Sequence, residues 1–320
     1  MRSLITGIAG FSAGHLAKLL LERGHEVAGL ESVPVKHADL PAYFKDIDIY
    51  HGDIRDEDVL SKALNGFKPD SIFHLAAQSS VKVSFENPVE TFSANLIGTL
   101  MLFETVGKLE FPVKIMVVSS SEIYGRLGPA ECPVNEDHPI KPVNPYAVSK
   151  AAVDMLAYQY FKAYNMPIYI ARSFSHSGPG QKTVGVLSDW AFQVAKIDLE
   201  ISQPVIKVGN MDVSRDYTDV RDVVKAYLDL VEKGKPGESY NICSGIGYKL
   251  DTLLDIYRTF TSKKIKISVD QSRMRPIDLP ILVGSYDKIQ AHTGWKPAIP
   301  IEKTLKDSFD YWKSKLSEEF

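Results

Sequence analysis

The first half of the chain alternates short apolar runs with segments of helical periodicity. The apolar runs predict strands over residues 2–6, 26–30, 47–50, 71–75, 114–119 and 167–172. Helical patterns lie between them, over residues 14–23, 56–65, 88–108 and 146–164. Alternation of this kind is typical of a parallel sheet with helices on both faces. The pattern therefore predicts an α/β fold with a doubly wound, Rossmann-type parallel sheet.

The pattern loosens after residue 172, where glycine and proline become frequent. We expect a helix over 220–233 and a strand over 239–243 to return to the first domain, and a smaller α/β lobe to follow. The predicted division places the first domain at 1–174 with 211–245, and the lobe at 175–210 and 246–320.

Composition excludes several classes of protein. The 320 residues are 24% charged and 44% hydrophobic, and the net charge of −3 offers no basic surface for nucleic acid. No apolar run approaches the ~18 residues of a membrane span, and the first strand begins at residue 2, which leaves no room for a signal peptide. Two cysteines, Cys132 and Cys243, are too few for a disulfide framework or a cysteine metal site. We therefore expect a cytoplasmic protein without a metal centre.

A glycine-rich turn follows the first predicted strand, in the run Thr6-Gly7-Ile8-Ala9-Gly10-Phe11. Gly7 allows a tight turn, and Gly10 allows the backbone to approach a ligand closely. The N-terminus of the following helix offers free N–H groups to an anion. The order strand, turn, helix, strand predicts a dinucleotide pyrophosphate at this turn. The alternative is an ordinary strand–helix turn that happens to be rich in glycine.

Glu31 ends the second predicted strand, 24 residues after Gly7. The acid that binds the adenosine ribose in dinucleotide folds lies at a similar offset, roughly 20 residues. A carboxylate accepts hydrogen bonds from the ribose 2′-OH and repels a 2′-phosphate, which favours NAD over NADP. The alternative is a solvated loop acid.

Tyr146 and Lys150 lie one helical turn apart, behind the helix start Asn144-Pro145. Lys150 is suited to hold the nicotinamide ribose and to lower the pKa of the tyrosine, whose phenol normally titrates near ~10. Tyr146 could then act as a general base. Taken with the glycine-rich turn, the pair predicts an enzyme that transfers a hydride to or from a hydroxyl-bearing carbon. A surface pair at helical spacing is the alternative.

The strand before this helix ends in Ser119-Ser120-Ser121-Glu122, at the strand end where ligands of such sheets bind. Ser120 is placed to hydrogen-bond the oxygen that Tyr146 deprotonates. Glu122 could take a proton from the carbon next to a newly formed carbonyl. The alternative for Glu122 is a plain loop acid that caps the turn.

These motifs together resemble the extended short-chain dehydrogenases/reductases that modify nucleotide sugars, over essentially the whole chain. Within that family, the run 78–88 is similar to the GDP-mannose 4,6-dehydratases. The tail is similar to the GDP-6-deoxy-4-ketohexose reductases. The pieces that carry the resemblance are 6–11, 52–56, 74–79, 95–99, 120–125, 146–150, 215–220 and 275–276, with 177–181, 207–210 and 294–297 for the tail.

The resemblance also implies roles for further residues. On the cofactor side it adds Asp53 and Ile54 at the adenine, and Phe11, Leu75, Ala76 and Ala77 along the dinucleotide. On the substrate side it implies Ser79, Ser175, Arg215 and Arg275, and planar guanidinium groups do suit a diphosphate. The chain departs from the family pattern at Ala13, where a third glycine is usual, and at Ser175, where asparagine is usual.

Three reactions fit this resemblance. A 4,6-dehydratase recycles a bound NAD and needs an acid–base residue besides the tyrosine; because Glu31 and Glu122 both fit it, the sequence favours it. A 4-ketoreductase consumes NAD(P)H and needs only Ser120, Tyr146 and Lys150. A 4-epimerase recycles NAD and has no use for Glu122. A non-enzymatic alternative, a redox-sensing regulator, would not need Ser120, Tyr146 and Lys150 together.

The expected substrate is a nucleotide-diphosphate sugar, GDP-linked. The resemblance implies a homodimer or homotetramer that joins through helices 88–108 and 146–164, with Phe92, Leu96, Leu100 and Phe103 on the first of them. The alternative is that these apolar positions belong to the core.

Overall fold

The strands form one large sheet and smaller ones beside it. The computed structural model describes residues 1–34, 44–45, 47–274 and 277–319. In chain order, the strands of that part are β1 (Arg2–Thr6), β2 (Glu26–Glu31), β3 (Asp48–His51), β4 (Ser71–His74), β5 (Lys114–Ser120), β6 (Ile168–Ser173), β7 (Ser175–Ser177), β8 (Val205–Val208), β9 (Ser214–Asp219), β10 (Ser239–Ile242), β11 (Gly247–Lys249), β12 (Lys266–Val269) and β13 (Ile281–Leu282).

The helices fill the connections between these strands. They are α1 (Phe11–Glu22), α2 (Glu57–Phe67), α3 (Val81–Glu86), α4 (Pro88–Phe92), α5 (Gly98–Gly107), α6 (Pro145–Tyr164), α7 (Val186–Asp198), α8 (Val220–Lys233), α9 (Leu250–Arg258), α10 (Asp287–Thr293) and α11 (Ile301–Glu319). A π-helical turn, Ser93–Ile97, joins α4 to α5.

The large sheet is parallel throughout, in the order β10-β6-β5-β4-β1-β2-β3. Strand order runs outward from β1 in both directions, so the crossover changes side between β1 and β4. Ligands of such sheets bind outside the carboxyl ends of the strands at this point. The predicted doubly wound α/β fold is confirmed.

Helices cover both faces of this sheet, which explains why its strands are apolar runs rather than alternating ones. On one face, α1 and α8 contribute the buried side chains Leu16, Leu20, Val223 and Tyr227. The other face is covered by α2, α5 and α6, with Leu60, Leu64, Leu102, Phe103 and Ala157 in its core.

The chain after β6 builds the smaller sheets. Strand β9 pairs with β7, β11 and β13, and β8 pairs with β12. A separate core, which includes Trp190, Leu254 and Leu305, packs α7, α9 and α11 together. Strand β10 pairs with β6 of the large sheet. The division into a dinucleotide-binding domain and a substrate-binding lobe remains a prediction.

The helix predicted over 88–108 differs from the pattern in one respect. Its helical stretch contains the π turn Ser93–Ile97, in which Asn95 is buried. The amide of Asn95 hydrogen-bonds Gln78 and Ser149. Because a π turn adds one residue to the helix turn, it rotates a side chain out of the 3.6-residue register. Apolar periodicity does not reveal such a turn.

Candidate active site

The glycine-rich turn has the geometry that a dinucleotide pyrophosphate needs. Gly7 has φ +69°, and a side chain there would place its Cβ 2.9 Å from Ala76 Cα. Gly10 precedes α1 as its N-cap and offers no side-chain cap, so the first-turn amides are left for another acceptor. A cradle closed to side chains, at a helix N-terminus, fits an anionic cofactor. Ala13, the departure from the third glycine, is buried within the core.

Buried His74 fixes the floor of this turn through a chain of hydrogen bonds. The Thr99 hydroxyl donates to the carbonyl oxygen of Asn95 (2.6 Å), so His74 Nε2 is the donor to Thr99 Oγ1 (2.9 Å). His74 Nδ1 then accepts from the Thr6 hydroxyl (2.8 Å), and Thr6 Oγ1 accepts the Ala76 N–H (3.1 Å). Burial lowers the pKa of His74 to about 3, which keeps the ring in the neutral form that this pattern requires.

The Glu31 carboxylate lies against the glycine-rich turn. Its Oε2 accepts the backbone N–H of Ala9 (3.0 Å), and its Oε1 accepts that of Ser32 (3.0 Å). The predicted ribose acid is therefore held at the mouth of the turn by backbone donors.

The other predicted cofactor residues follow strand ends next to the turn. Leu75, Ala76 and Ala77 come directly after β4 and are half-buried. Ile54 is buried, and Gly98 lies close to it: a Cβ at Gly98 would come 2.5 Å from Ile54 Cγ2. Phe11 begins α1, and its ring packs on His176.

Asp53, predicted at the adenine, has an ion-pair partner within the chain. Arg55 Nε donates to Asp53 Oδ1 (2.9 Å), as does the Arg55 backbone N–H (2.8 Å). The side-chain bond from Arg55 holds the pKa of Asp53 below its usual value. The carboxylate is thus oriented by Arg55, and its contact with an adenine remains a proposal.

The predicted reacting groups meet at the ends of β5 and α6. Ser120 lies next to Tyr146, close enough for its hydroxyl to lower the pKa of the phenol. Lys150, one turn further along α6, is buried and donates from Nζ to the carbonyl oxygen of Val118 (2.8 Å). The structure therefore brings Ser120, Tyr146 and Lys150 into one site.

The electrostatics of this site differ from the expectation that Lys150 lowers the pKa of Tyr146. Burial raises the pKa of Tyr146 to about 12, against a smaller lowering by the Ser120 hydrogen bond, and the nearby Glu122 charge raises it further. Burial also lowers the pKa of Lys150 to about 8. The cause is loss of hydration, which disfavours the charged form of each group. At neutral pH the phenol is therefore protonated.

Glu122 faces the start of α6. Its Oε2 accepts a hydrogen bond from Asn144 Nδ2 (3.1 Å), and Asn144 Oδ1 caps the helix by accepting the Ala147 N–H (2.8 Å). The Glu122 backbone N–H donates to Ser120 Oγ (3.2 Å). Glu122 therefore ties the serine turn to the helix that carries Tyr146. The sequence showed Asn144 as a cap but gave no signal of this contact.

Asn95 is a site residue whose role the sequence reasoning missed. Its Nδ2 donates to Gln78 O (3.0 Å) and Ser149 Oγ (2.9 Å), and its Oδ1 accepts the Gln78 N–H (2.8 Å). Ser149 Oγ in turn donates to the carbonyl oxygen of Tyr146 (2.7 Å). Asn95 thus holds the segment after β4 against α6. The resemblance did include the run 95–99, which was the available signal.

One predicted substrate residue, Arg215, belongs to the smaller sheets. Arg215 is buried on β9, where Nη1 donates to Leu279 O (2.6 Å) and Nη2 to Asp278 Oδ1 (2.9 Å). Asn210 Nδ2 donates to the second oxygen of Asp278 (3.0 Å). Arg215 therefore already has a carboxylate partner.

Three other residues were predicted to bind the substrate. Ser175 lies half-buried on β7, and Ser79 is exposed after β4. Arg275 lies outside the described residues.

Two further properties of the chain bear on other functions. Within residues 1–34, 44–45, 47–274 and 277–319, no group of three His, Cys, Asp or Glu side chains is arranged to hold a metal ion. None of the helices in those ranges is both long enough and apolar enough to cross a membrane.

Comparison with known proteins agrees with this geometry. The profile of the family described as GDP-mannose 4,6 dehydratase matches residues 4–308. GDP-6-deoxy-D-mannose reductase from Pseudomonas aeruginosa is 33% identical over 318 residues, which cover 99% of each chain.

Solved structures give the same result for the fold. The structure of RMD from Pseudomonas aeruginosa complexed with NADPH superposes with a TM-score of 0.86 at 33% identity, over 98% of this chain and 99% of that one. UDP-glucose 4-epimerase from Thermus thermophilus, in complex with NAD, superposes with a TM-score of 0.88 at 30% identity, over 98% of this chain and 99% of that one. Both structures hold a nicotinamide dinucleotide, which the glycine-rich turn of this chain fits.

These matches extend over nearly the whole chain. The chain belongs to the GDP-mannose 4,6 dehydratase family, nicotinamide-dependent enzymes of nucleotide sugars within the extended short-chain dehydrogenases/reductases.

Proposed function

We propose that this enzyme is a GDP-6-deoxy-4-ketohexose 4-reductase. The observation that carries the proposal is similarity to a GDP-6-deoxy-D-mannose reductase, 33% identical over 99% of both chains. Reduction of a ketone needs a proton donor next to the carbonyl oxygen. The Tyr146 phenol, whose pKa burial raises to about 12, is protonated at neutral pH and can supply that proton. The proposal thus reverses the order of preference drawn from the sequence.

In this reaction the cofactor, when bound, supplies a hydride to C4 of the sugar. Tyr146 donates its proton to the C4 carbonyl oxygen as that oxygen gains charge. Ser120 Oγ accepts the N–H of Glu122, and its hydroxyl proton can turn from Tyr146 to the same carbonyl oxygen when the keto sugar is bound. The result is a C4 hydroxyl.

Lys150 holds its position through the Val118 carbonyl. That bond uses one of three ammonium protons. We propose that another binds the nicotinamide ribose, so that Lys150 places the cofactor next to the proton donor.

A second candidate is the GDP-mannose 4,6-dehydratase reaction, which oxidises C4, removes the C5 proton and expels the C6 hydroxyl. The observation that favours it is the Glu122 carboxylate next to the Ser120–Tyr146 pair, close enough for its charge to raise the pKa of the phenol. In the reductase, the same carboxylate serves to hold Asn144 and the start of α6.

Glu122→Gln separates the two reactions. Gln keeps an oxygen for Asn144 Nδ2 but cannot take a proton from C5. For a reductase, we expect wild-type enzyme to oxidise NAD(P)H with a GDP-4-keto-6-deoxyhexose. Glu122→Gln should do so within about threefold, because only Ser120, Tyr146 and Lys150 take part in the step. The measurement is the decay of the NAD(P)H absorbance, with exposed Glu302→Gln as the matched control.

The same proteins are also incubated with GDP-mannose and no added cofactor. The proposal expects no 4-keto-6-deoxy product by mass and NMR. Formation of that product by wild type, and its loss in Glu122→Gln with NADH accumulating on the enzyme, would instead establish the dehydratase.

We propose NADH as the preferred cofactor, on account of Glu31. The carboxylate is held at the turn by the Ala9 and Ser32 amides, where a 2′-phosphate would meet like charge. We expect at least tenfold tighter binding of NADH than of NADPH, about 1.4 kcal/mol, by calorimetric titration.

Glu31→Gln is the control for this preference, because it keeps the acceptor for the Ala9 amide and removes the charge. The Glu31→Gln variant should have a smaller ratio of the NADPH to the NADH dissociation constant than wild type. Equal affinities of the wild type for NADH and NADPH would show that the Glu31 carboxylate does not distinguish a ribose 2′-OH from a 2′-phosphate. The nearest basic residue after it, Lys36, lies outside the described residues.

We further infer a GDP-linked substrate and a second copy of the chain as partner. Arg215 and Arg275 are proposed to hold the diphosphate, with Asp278 orienting Arg215. On the face formed by α4 and α6, Val89, Met155 and Tyr158 are 52–79% exposed, which suits a helical interface between two protomers. Among the apolar side chains of the helical stretch 88–108, Phe103 belongs to the core, and Phe92, Leu96 and Leu100 are half-buried.

A further inference from the structure

The first turn of α1 is joined to β7 by a hydrogen bond between residues far apart in the chain. Ser12 Oγ and His176 Nε2 are 2.8 Å apart, although 164 residues separate them. Ser12 lies two residues after Gly10, in the turn predicted to hold the cofactor. His176 lies next to Ser175, which the resemblance places at the substrate. The bond therefore connects the two halves of the site.

The direction of this hydrogen bond follows from the other partner of the ring. His176 Nδ1 lies 3.0 Å from the carbonyl oxygen of Phe174, and a carbonyl only accepts. Nδ1 therefore carries the proton, and Nε2 accepts the proton of the Ser12 hydroxyl. Burial lowers the pKa of His176, which favours this neutral form. Ser12 is thus the donor, so a substitution that removes its hydroxyl breaks this hydrogen bond.

A second contact runs parallel to the first. His15 Nε2, one turn further along α1, donates to the carbonyl oxygen of Pro179 (2.9 Å). The ring of Phe11 lies nearly parallel to that of His176, with centroids 6.3 Å apart and an interplanar angle of 11°. The start of α1 therefore packs against the segment 176–179 as one surface.

On the other side, His176 belongs to the segment that positions the substrate side chains. Strand β7 pairs with β9, which carries Arg215, and His176 stands opposite Thr218. The carbonyl oxygen of His176 accepts a hydrogen bond from Gln181 Nε2 (3.3 Å), and Ser177 Oγ donates to Gln181 Oε1 (2.8 Å). A shift of α1 would therefore be passed to β7 and the loop after it.

We propose that Ser12 and His176 are positioning residues that couple binding of the cofactor to binding of the nucleotide sugar. This inference rests on the proposed function. An anion at the N-terminus of α1 orders the first turn, and the Ser12–His176 bond then orders β7 for the sugar nucleotide. Coupling of this kind is reciprocal, so each ligand tightens the binding of the other by the same factor.

The test measures NADH affinity by calorimetry without and with saturating GDP, using the full chain. Wild type should bind NADH more tightly with GDP present. Ser12→Ala should reduce that ratio about three- to tenfold, the size expected for one neutral hydrogen bond. Ser12→Thr keeps a hydroxyl and should retain the ratio. Ser314→Ala, an exposed serine on α11, is the matched control and should match wild type.

The ratio of the NADH affinities measured with and without GDP distinguishes coupling from damage to the fold. Lower stability alone leaves this ratio unchanged. If GDP raises the NADH affinity of Ser12→Ala by the same factor as in wild type, this inference is wrong and the proposed function stands. The same holds if GDP binds wild type but does not change its NADH affinity. If wild type binds neither GDP nor UDP, both the inference and the proposed function are wrong.

Discussion

Replacement of Tyr146 by Phe should lower turnover by about 10²- to 10⁴-fold, the usual contribution of general acid–base catalysis. The phenolic hydroxyl is the proposed proton donor and lies next to Ser120. The ring itself is half-buried, so Phe keeps its packing. The measurement is kcat with the keto sugar, together with NADH affinity by titration, which should stay within about twofold.

Tyr158→Phe is the control, because Tyr158 lies on the same helix and is 52% exposed. It should leave kcat unchanged. Turnover of Tyr146→Phe within threefold of wild type would remove Tyr146 from the reaction. Loss of NADH binding in Tyr146→Phe would mean that the hydroxyl holds the cofactor.

Asp154→Ala should cost about 3–5 kcal/mol of unfolding free energy, the largest effect on stability that we expect. Asp154 on α6 forms a two-pronged pair with Arg172 on β6, with Nε–Oδ2 2.8 Å and Nη2–Oδ1 3.0 Å. The two side chains are only 6% and 8% exposed. Removal of the carboxylate leaves a buried guanidinium whose charge is not compensated. Urea unfolding followed by circular dichroism measures the loss.

Two further variants make this result specific. Asp154→Asn keeps the shape and one acceptor, so its cost should be intermediate. Glu57→Ala breaks the exposed pair with Lys108, whose side chains are 45% and 60% exposed, and should cost less than about 1 kcal/mol. An Asp154→Ala variant as stable as Glu57→Ala would show that Arg172 finds other partners, such as Tyr124 and the Glu136 carbonyl.

The large sheet and its helices could be predicted from the sequence because their signals are local. Buried parallel strands are apolar runs, and amphipathic helices repeat every 3.6 residues, so each element is visible in its own window. The glycine-rich turn is equally local, since φ +69° at Gly7 is a property of one residue. The spacing of Tyr146 and Lys150 also follows from helix geometry alone.

The contacts that complete the site were decided by the tertiary structure. Three hydrogen-bonded pairs join segments that only packing brings together. They are Ser12–His176, Glu122–Asn144 and Asn95–Ser149. Such contacts leave no period in the sequence, because side chains from different elements meet at distances that neither element sets alone.

The protonation of the reacting groups depends on packing in the same way. The sequence suggested that Lys150 would lower the pKa of Tyr146, since charge at i+4 is a local property. Burial instead raises the pKa of Tyr146 and lowers that of Lys150. The sequence by itself thus determined the elements, the turn and the spacing of the reacting pair. Only the folded chain decided how far each group is removed from water, and hence in which direction its pKa moves.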